Sequence, residues 1–188
     1  KNKETIKIKD KKIPYKKVYR KVKYPRLEFK TGNLSIILPE NYYGEEQLLE
    51  KHKEWVFKKF CFIEETLKEA KKLELKSKAD KKIFTKKVEK IAKEYSNDLN
   101  VNVNKIFFRK MKTKWGSCSY DGNLTINKLL MFLPTRFVRY IVFHEVLHRI
   151  YRKHNKEFYN IIKKKFKNSD KIEKELFSYW FLLTDRKS

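Results

Sequence analysis

Three of the four histidines in this chain fall within eleven residues, at His144, His148 and His154. The first two frame His144-Glu145-Val146-Leu147-His148, the HExxH pattern. On a helix, residues four apart lie within about 40° of each other and about 6 Å along the axis, so two imidazoles can converge on one ion. Zinc bound by two such rings and a third ligand keeps a position open for water, whose pKa it lowers toward about 7. Glu145 is set roughly 100° round from His144 and does not need to bind the metal, so its carboxylate can take the water's proton as general base. The bland alternative is two histidines on a wet helix face.

His154 is the candidate third ligand. Six further residues of continuous helix would turn it about 240° away from His148, so the backbone must bend between Ile150 and His154. Arg152 and Lys153 suit a helix C-terminus, and Asn155 can cap a new helix through Phe158, Ile161, Ile162 and Phe166. Glu157, Glu173 and Glu175 are the acidic alternatives for the third position. Cys118 as a fourth ligand would close the site to water. Tyr140, Arg149, Tyr151 and Tyr159 are near enough in sequence to stabilise an oxyanion, and the sequence does not choose among them. His52, amid Lys51, Lys53 and Glu54, reads as an exposed helix residue.

The elements that must carry these groups read as α+β. Residues 4 to 38 alternate in β fashion, with Pro14, Pro25, Gly32 and Pro39 as punctuation, and predict three or four short strands. Residues 45 to 76 predict one long helix with Leu48, Leu49, Trp55, Val56, Phe60, Ile63, Leu67 and Leu73 on its apolar face, and residues 80 to 96 a second. Strands are expected at 102 to 109 and 123 to 127, and helices at 134 to 152, 156 to 167 and 170 to 183. Trp115-Gly116-Ser117-Cys118 reads as an edge strand beside the cleft, where a peptide could pair, or as core residues around a bulge at Gly116. The expected organisation is a small β region at 1–44, a helical connector at 45–98 and a catalytic region with a short sheet and the HExxH helix at 99–188.

Several of these segments together resemble the YgjP-like metallopeptidases, relatives of the SprT-like and WLM zinc proteases. They are Lys114-Trp115-Gly116-Ser117-Cys118-Ser119, Asn123-Leu124-Thr125-Ile126-Asn127, Leu133-Pro134, Tyr140-Ile141-Val142-Phe143, and His144 through Tyr159. That pattern reads WGSC, a short strand, a proline, then HExxHxxxxxH followed by an aromatic residue. The match is specific over 105 to 183 and weaker at Arg20 to Lys23, Leu34 to Pro39 and Lys53 to Val56. Between 62 and 98 the chain reads as Lys/Glu-rich helix, where the family pattern has a glycine-containing hairpin. The resemblance implies His144, His148 and His154 on one zinc ion per chain, Glu145 in catalysis and a peptide or protein substrate.

Composition sets the remaining bounds. Forty-eight Lys and Arg against 23 Asp and Glu give a net charge of +25, which attracts phosphate backbones. Lysine runs such as Lys11-Lys12, Lys16-Lys17, Lys71-Lys72 and Lys163-Lys164-Lys165 also read as solvated faces. Weak nucleic-acid binding is therefore an expectation beside the peptidase reading. Its variants are a protease acting on nucleic-acid-bound proteins, or a binding module whose zinc is structural or vestigial. Apolar residues at 40% suffice for a core without disulfides. Two cysteines, Cys61 and Cys118, fit a reducing compartment, no secretory pattern opens the chain, and no run approaches the roughly 18 apolar residues of a membrane span. A soluble, cytoplasmic protein without membrane contact is expected.

Overall fold

Short alternating segments make the first sheet because each can bury one face. In the computed structural model, which describes residues 4–30, 33–70, 75 and 80–185, four strands form it: β1 (Glu4–Ile8), β2 (Lys11–Tyr19), β3 (Arg26–Lys30) and β4 (Asn33–Leu38). Their order is β1-β2-β4-β3, with β2 and β4 parallel and the outer pairs antiparallel. Leu34, Ile36 and Leu38, spaced two apart, share one face and pack with Ile8, Ile13, Leu49 and Val56. Gly32 lies outside the described residues.

The single helix expected over 45 to 76 is instead two, α1 (Glu45–Lys51) and α2 (Lys53–Ala70). His52 leaves helical geometry at φ −112° and ψ 13°, while its N–H still reaches the carbonyls of Leu48 and Leu49 at 3.3 and 3.2 Å. No proline or glycine marks this break, so the apolar periodicity runs straight through it. Leu73, like 71–72, 74 and 76, lies outside the described residues, and Leu75 is not helical. His52 is exposed, as its charged neighbours imply.

The chain divides into two units, Lys1–Lys72 with Trp180–Ser188, and Leu73–Tyr179. The second unit begins its described part with α3 (Lys81–Asp98), whose first turn is capped by Asp80 accepting from Lys82 N–H and Ile83 N–H at 2.7 and 3.1 Å. Then come β5 (Ile106–Arg109), β6 (Gly116–Cys118), β7 (Leu124–Asn127), a 3₁₀ turn at Lys128–Phe132, α4 (Thr135–Leu147), α5 (Lys156–Lys165) and α6 (Ser169–Asp185), which is divided between the units at Trp180. The small sheet has the order β5-β7-β6, parallel on the β5 side and antiparallel on the β6 side, so β6 is an edge strand, the first of the two readings of this segment. The fold is α+β, and the described residues between 62 and 98 are helical except Leu75 and Asp80.

Helix α4 is the axis of this unit. It packs on α3 through the edge-on Tyr95–Phe143 pair, 5.0 Å between centroids, and on β6 and β7 on another side. Phe137, Val138, Tyr140 to Phe143, Val146 and Leu147 are all buried. An exposed Arg139–Glu94 pair joins the same helices but adds little in high dielectric, so apolar burial holds α4 in place. Among the described residues no helix is long and apolar enough to cross a membrane.

Candidate metal centre

Helix α4 ends sooner than its periodicity suggests, at Leu147 rather than near 152, and His148 is its C-terminal cap. The last turn tightens, with Arg149 N–H and Ile150 N–H reaching the carbonyls three residues back, Val146 and Leu147, at 2.9 and 3.0 Å. The chain then leaves the helix, and Asn155 starts α5 by accepting from Phe158 N–H at 2.9 Å. This is the bend that a third histidine requires. It brings His154 Nε2 to 2.9 Å from His144 Nε2 and 3.0 Å from His148 Nε2.

The donor set fits a metal. A tetrahedral zinc ion with nitrogens at about 2.0–2.1 Å needs them roughly 3.3 Å apart, close to the observed spacing. The Tyr151 carbonyl can only accept, so His148 Nδ1, 2.9 Å away, carries the proton and leaves its Nε2 lone pair facing the other two rings. Burial, with His148 and His154 adding to it, pushes the His144 imidazolium down to about 3, and burial lowers His148 as well, so both rings are held in the neutral form that binds metal. Among the described residues no Cys, Asp or Glu joins the three histidines, and His154 is exposed, so one side of the cluster is open to solvent. Cys118 is outside the set, and its Sγ lies 3.4 Å from the Ser119 carbonyl.

Phe158 is a residue that sequence reasoning placed only on the helix after Asn155. Its ring, wholly buried, lies 4.9, 4.9 and 4.8 Å from the rings of His144, His148 and His154 and stacks on His148. It forms the floor on which the three imidazoles stand, and a buried phenylalanine of this kind contributes about 3–5 kcal/mol. The aromatic residue that follows the third histidine in the family pattern was the available signal.

Glu145 is 6% exposed and packs against β6 at Gly116. Burial pushes its carboxyl up to about 7, opposed by the Lys114 ammonium. The candidate oxyanion groups separate clearly. Tyr140 is buried and donates to Glu173 at 2.5 Å, so its phenol is engaged and raised well above its usual range. Arg149 donates to the carbonyls of Asn102 and Tyr120 at 3.0 and 2.7 Å, and Arg152 to those of Ser119 and Tyr120 at 3.1 and 2.8 Å. Both arginines thus bind the turn between β6 and β7, where Gly122 takes φ +81° and a side chain would strike the Arg149 guanidinium. Tyr159 is exposed, with its ring 6.0 Å from that of His154. Glu173 and Glu175 are both partnered, the latter with Arg136 at 2.6 Å.

A helix that presents two imidazoles to a third beyond its end, with an acid after the first, is how a metallopeptidase prepares a site for hydrolysis. Sequence comparison gives the same class. The model of the YgjP-like metallopeptidase domain matches residues 61–179, more than half of the 188 residues, and the chain belongs to that family. No curated protein matches. Among solved structures, the chain is similar to the metallopeptidase zymogen of Methanocaldococcus jannaschii jannalysin, at 27% identity and TM-score 0.43 over 47% of this chain and 92% of that one. It is also similar to the metallopeptidase zymogen of Pyrococcus abyssi abylysin, at 22% identity and TM-score 0.45 over 48% and 92%.

Proposed function

We propose that this protein is a zinc-dependent endopeptidase, with His144, His148 and His154 as the ligands of one zinc ion, Glu145 as general base and residues 99–188 as the catalytic region. The observation that carries this reading is the convergence of three Nε2 atoms at the end of the helix that carries the buried Glu145, without a fourth protein ligand among the described residues. A structural zinc site would be closed by four. When bound, zinc supplies Lewis acidity, polarising the scissile carbonyl and making water a stronger nucleophile. Glu145 takes the proton from the attacking water and returns it to the leaving nitrogen as the C–N bond breaks. Edge strand β6 offers unpaired backbone groups to an extended peptide, which would place substrate beside Glu145. The free cysteines Cys61 and Cys118 suit a reducing, cytoplasmic setting.

Removing the metal tests the reading. Chelation is expected to abolish cleavage of a mixed peptide library, and about one equivalent of zinc per chain to restore it. Cleavage that persists after complete chelation would overturn the proposal.

A second reading rests on the net charge of +25. Weak, sequence-independent nucleic-acid binding is expected to fall steeply with salt, with a log-log slope of roughly five or more, one unit for each phosphate neutralised. A flat slope, or no binding at about 0.1 M salt, would leave the lysines as a solvated surface.

A further inference from the structure

Among the described residues no hydrogen bond holds the Glu145 carboxylate, although the residue is buried. A general base must nevertheless be aimed, because a misplacement of about 1 Å can cost about 100-fold in rate. What confines this side chain is a strand with a missing one. A Cβ built on Gly116 would lie 2.7 Å from Glu145 Cγ, 2.8 Å from Oε1 and 2.9 Å from Cδ. Because Cγ is included, turning the carboxylate about its last bond does not relieve the clash. The whole side chain would have to change its first rotamer, which a helix restricts.

Neither partner can retreat. The strand is pinned from behind by Asn127, itself fully buried, whose N–H donates to the Trp115 carbonyl at 2.8 Å and whose Nδ2 donates to the carbonyls of Lys114 and Met111 at 2.9 and 3.0 Å. Gly116 is also in register with the buried Ile126 of β7. Helix α4 is fixed by its packing on α3.

We propose that Gly116 is the positioning residue for Glu145: the slot left by its absent side chain sets where the carboxylate stands on the helix that carries His144 and His148. The functional half of this inference rests on the reading of Glu145 as base, and the steric half does not. Gly116→Ala is expected to retain its metal and KM while kcat falls about 10- to 100-fold. A double-mutant cycle on thermal stability separates the steric contact from catalysis. Gly116→Ala should lower Tm when Glu145 is present and leave it unchanged in a Glu145→Ala background, where the alanine methyl fills vacated space. If Gly116→Ala alone does not fold, recovery of folding in Gly116→Ala/Glu145→Ala supports the slot. Wild-type kcat in Gly116→Ala, an equal Tm loss in both backgrounds, or a double variant that stays unfolded would overturn it. Failure of the base assignment shows up elsewhere, as undiminished cleavage by Glu145→Gln.

Discussion

Glu145→Gln is expected to keep its full complement of metal and to lose about 10²- to 10⁴-fold in cleavage rate, the usual contribution of a positioned general base. The substitution is nearly isosteric, so the amide fits the slot over Gly116 that the carboxylate occupies. It is also neutral, and burial already disfavours charge at this position, so the folded state should be no less stable. What the amide lacks is the ability to take a proton from water. Metal content and single-turnover cleavage measured on the same sample decide the matter. Undiminished cleavage with full metal would remove Glu145 from the mechanism.

His154→Ala should lower zinc affinity by more than about 100-fold, since even partners one shell further out commonly contribute 10- to 100-fold. Its expected effect on the apo fold is small. His154 is exposed, on the stretch between α4 and α5, whereas the ring that supports the site, Phe158, is buried beneath it. Loss of metal with an unchanged apo melting curve is therefore the signature of a ligand, and loss of both would indicate a structural role. His52→Ala, at the exposed break between α1 and α2, is the matched control and should leave metal content unchanged. Full occupancy in His154→Ala would transfer the third position to another group.

Several features of this site were legible because their causes are local. The spacing of His144 and His148 follows from the helical repeat, and the need for a bend before His154 follows from the same repeat carried six residues further. Asn155 announces a helix start because a short side-chain acceptor satisfies the first free N–H groups. The strands at 4–38 and 123–127 follow from alternation, since side chains two apart share a face. At Gly116–Cys118 the glycine left two readings, an edge strand or a bulge among core residues, and strand pairing in the sheet decided for the edge.

Other features depended on residues far apart in the chain. His52 interrupts a continuous apolar stripe without a glycine or proline, and α4 stops at Leu147 although its pattern continues toward 152. Arg149 and Tyr140 are two of four candidate electrophiles that the sequence does not rank, yet Arg149 holds Asn102 and Tyr120, and Tyr140 is taken up by Glu173, 33 residues away. The histidines, their spacing on α4 and the acid between them are legible locally, because each is set by backbone geometry over one or two turns. That Phe158 floors the three rings, and that the missing side chain of Gly116 receives Glu145 from a helix 29 residues later, emerges with the packed fold. Those contacts exist only when a helix packs on a sheet at a particular depth, and close packing is a property of the assembled core rather than of any segment.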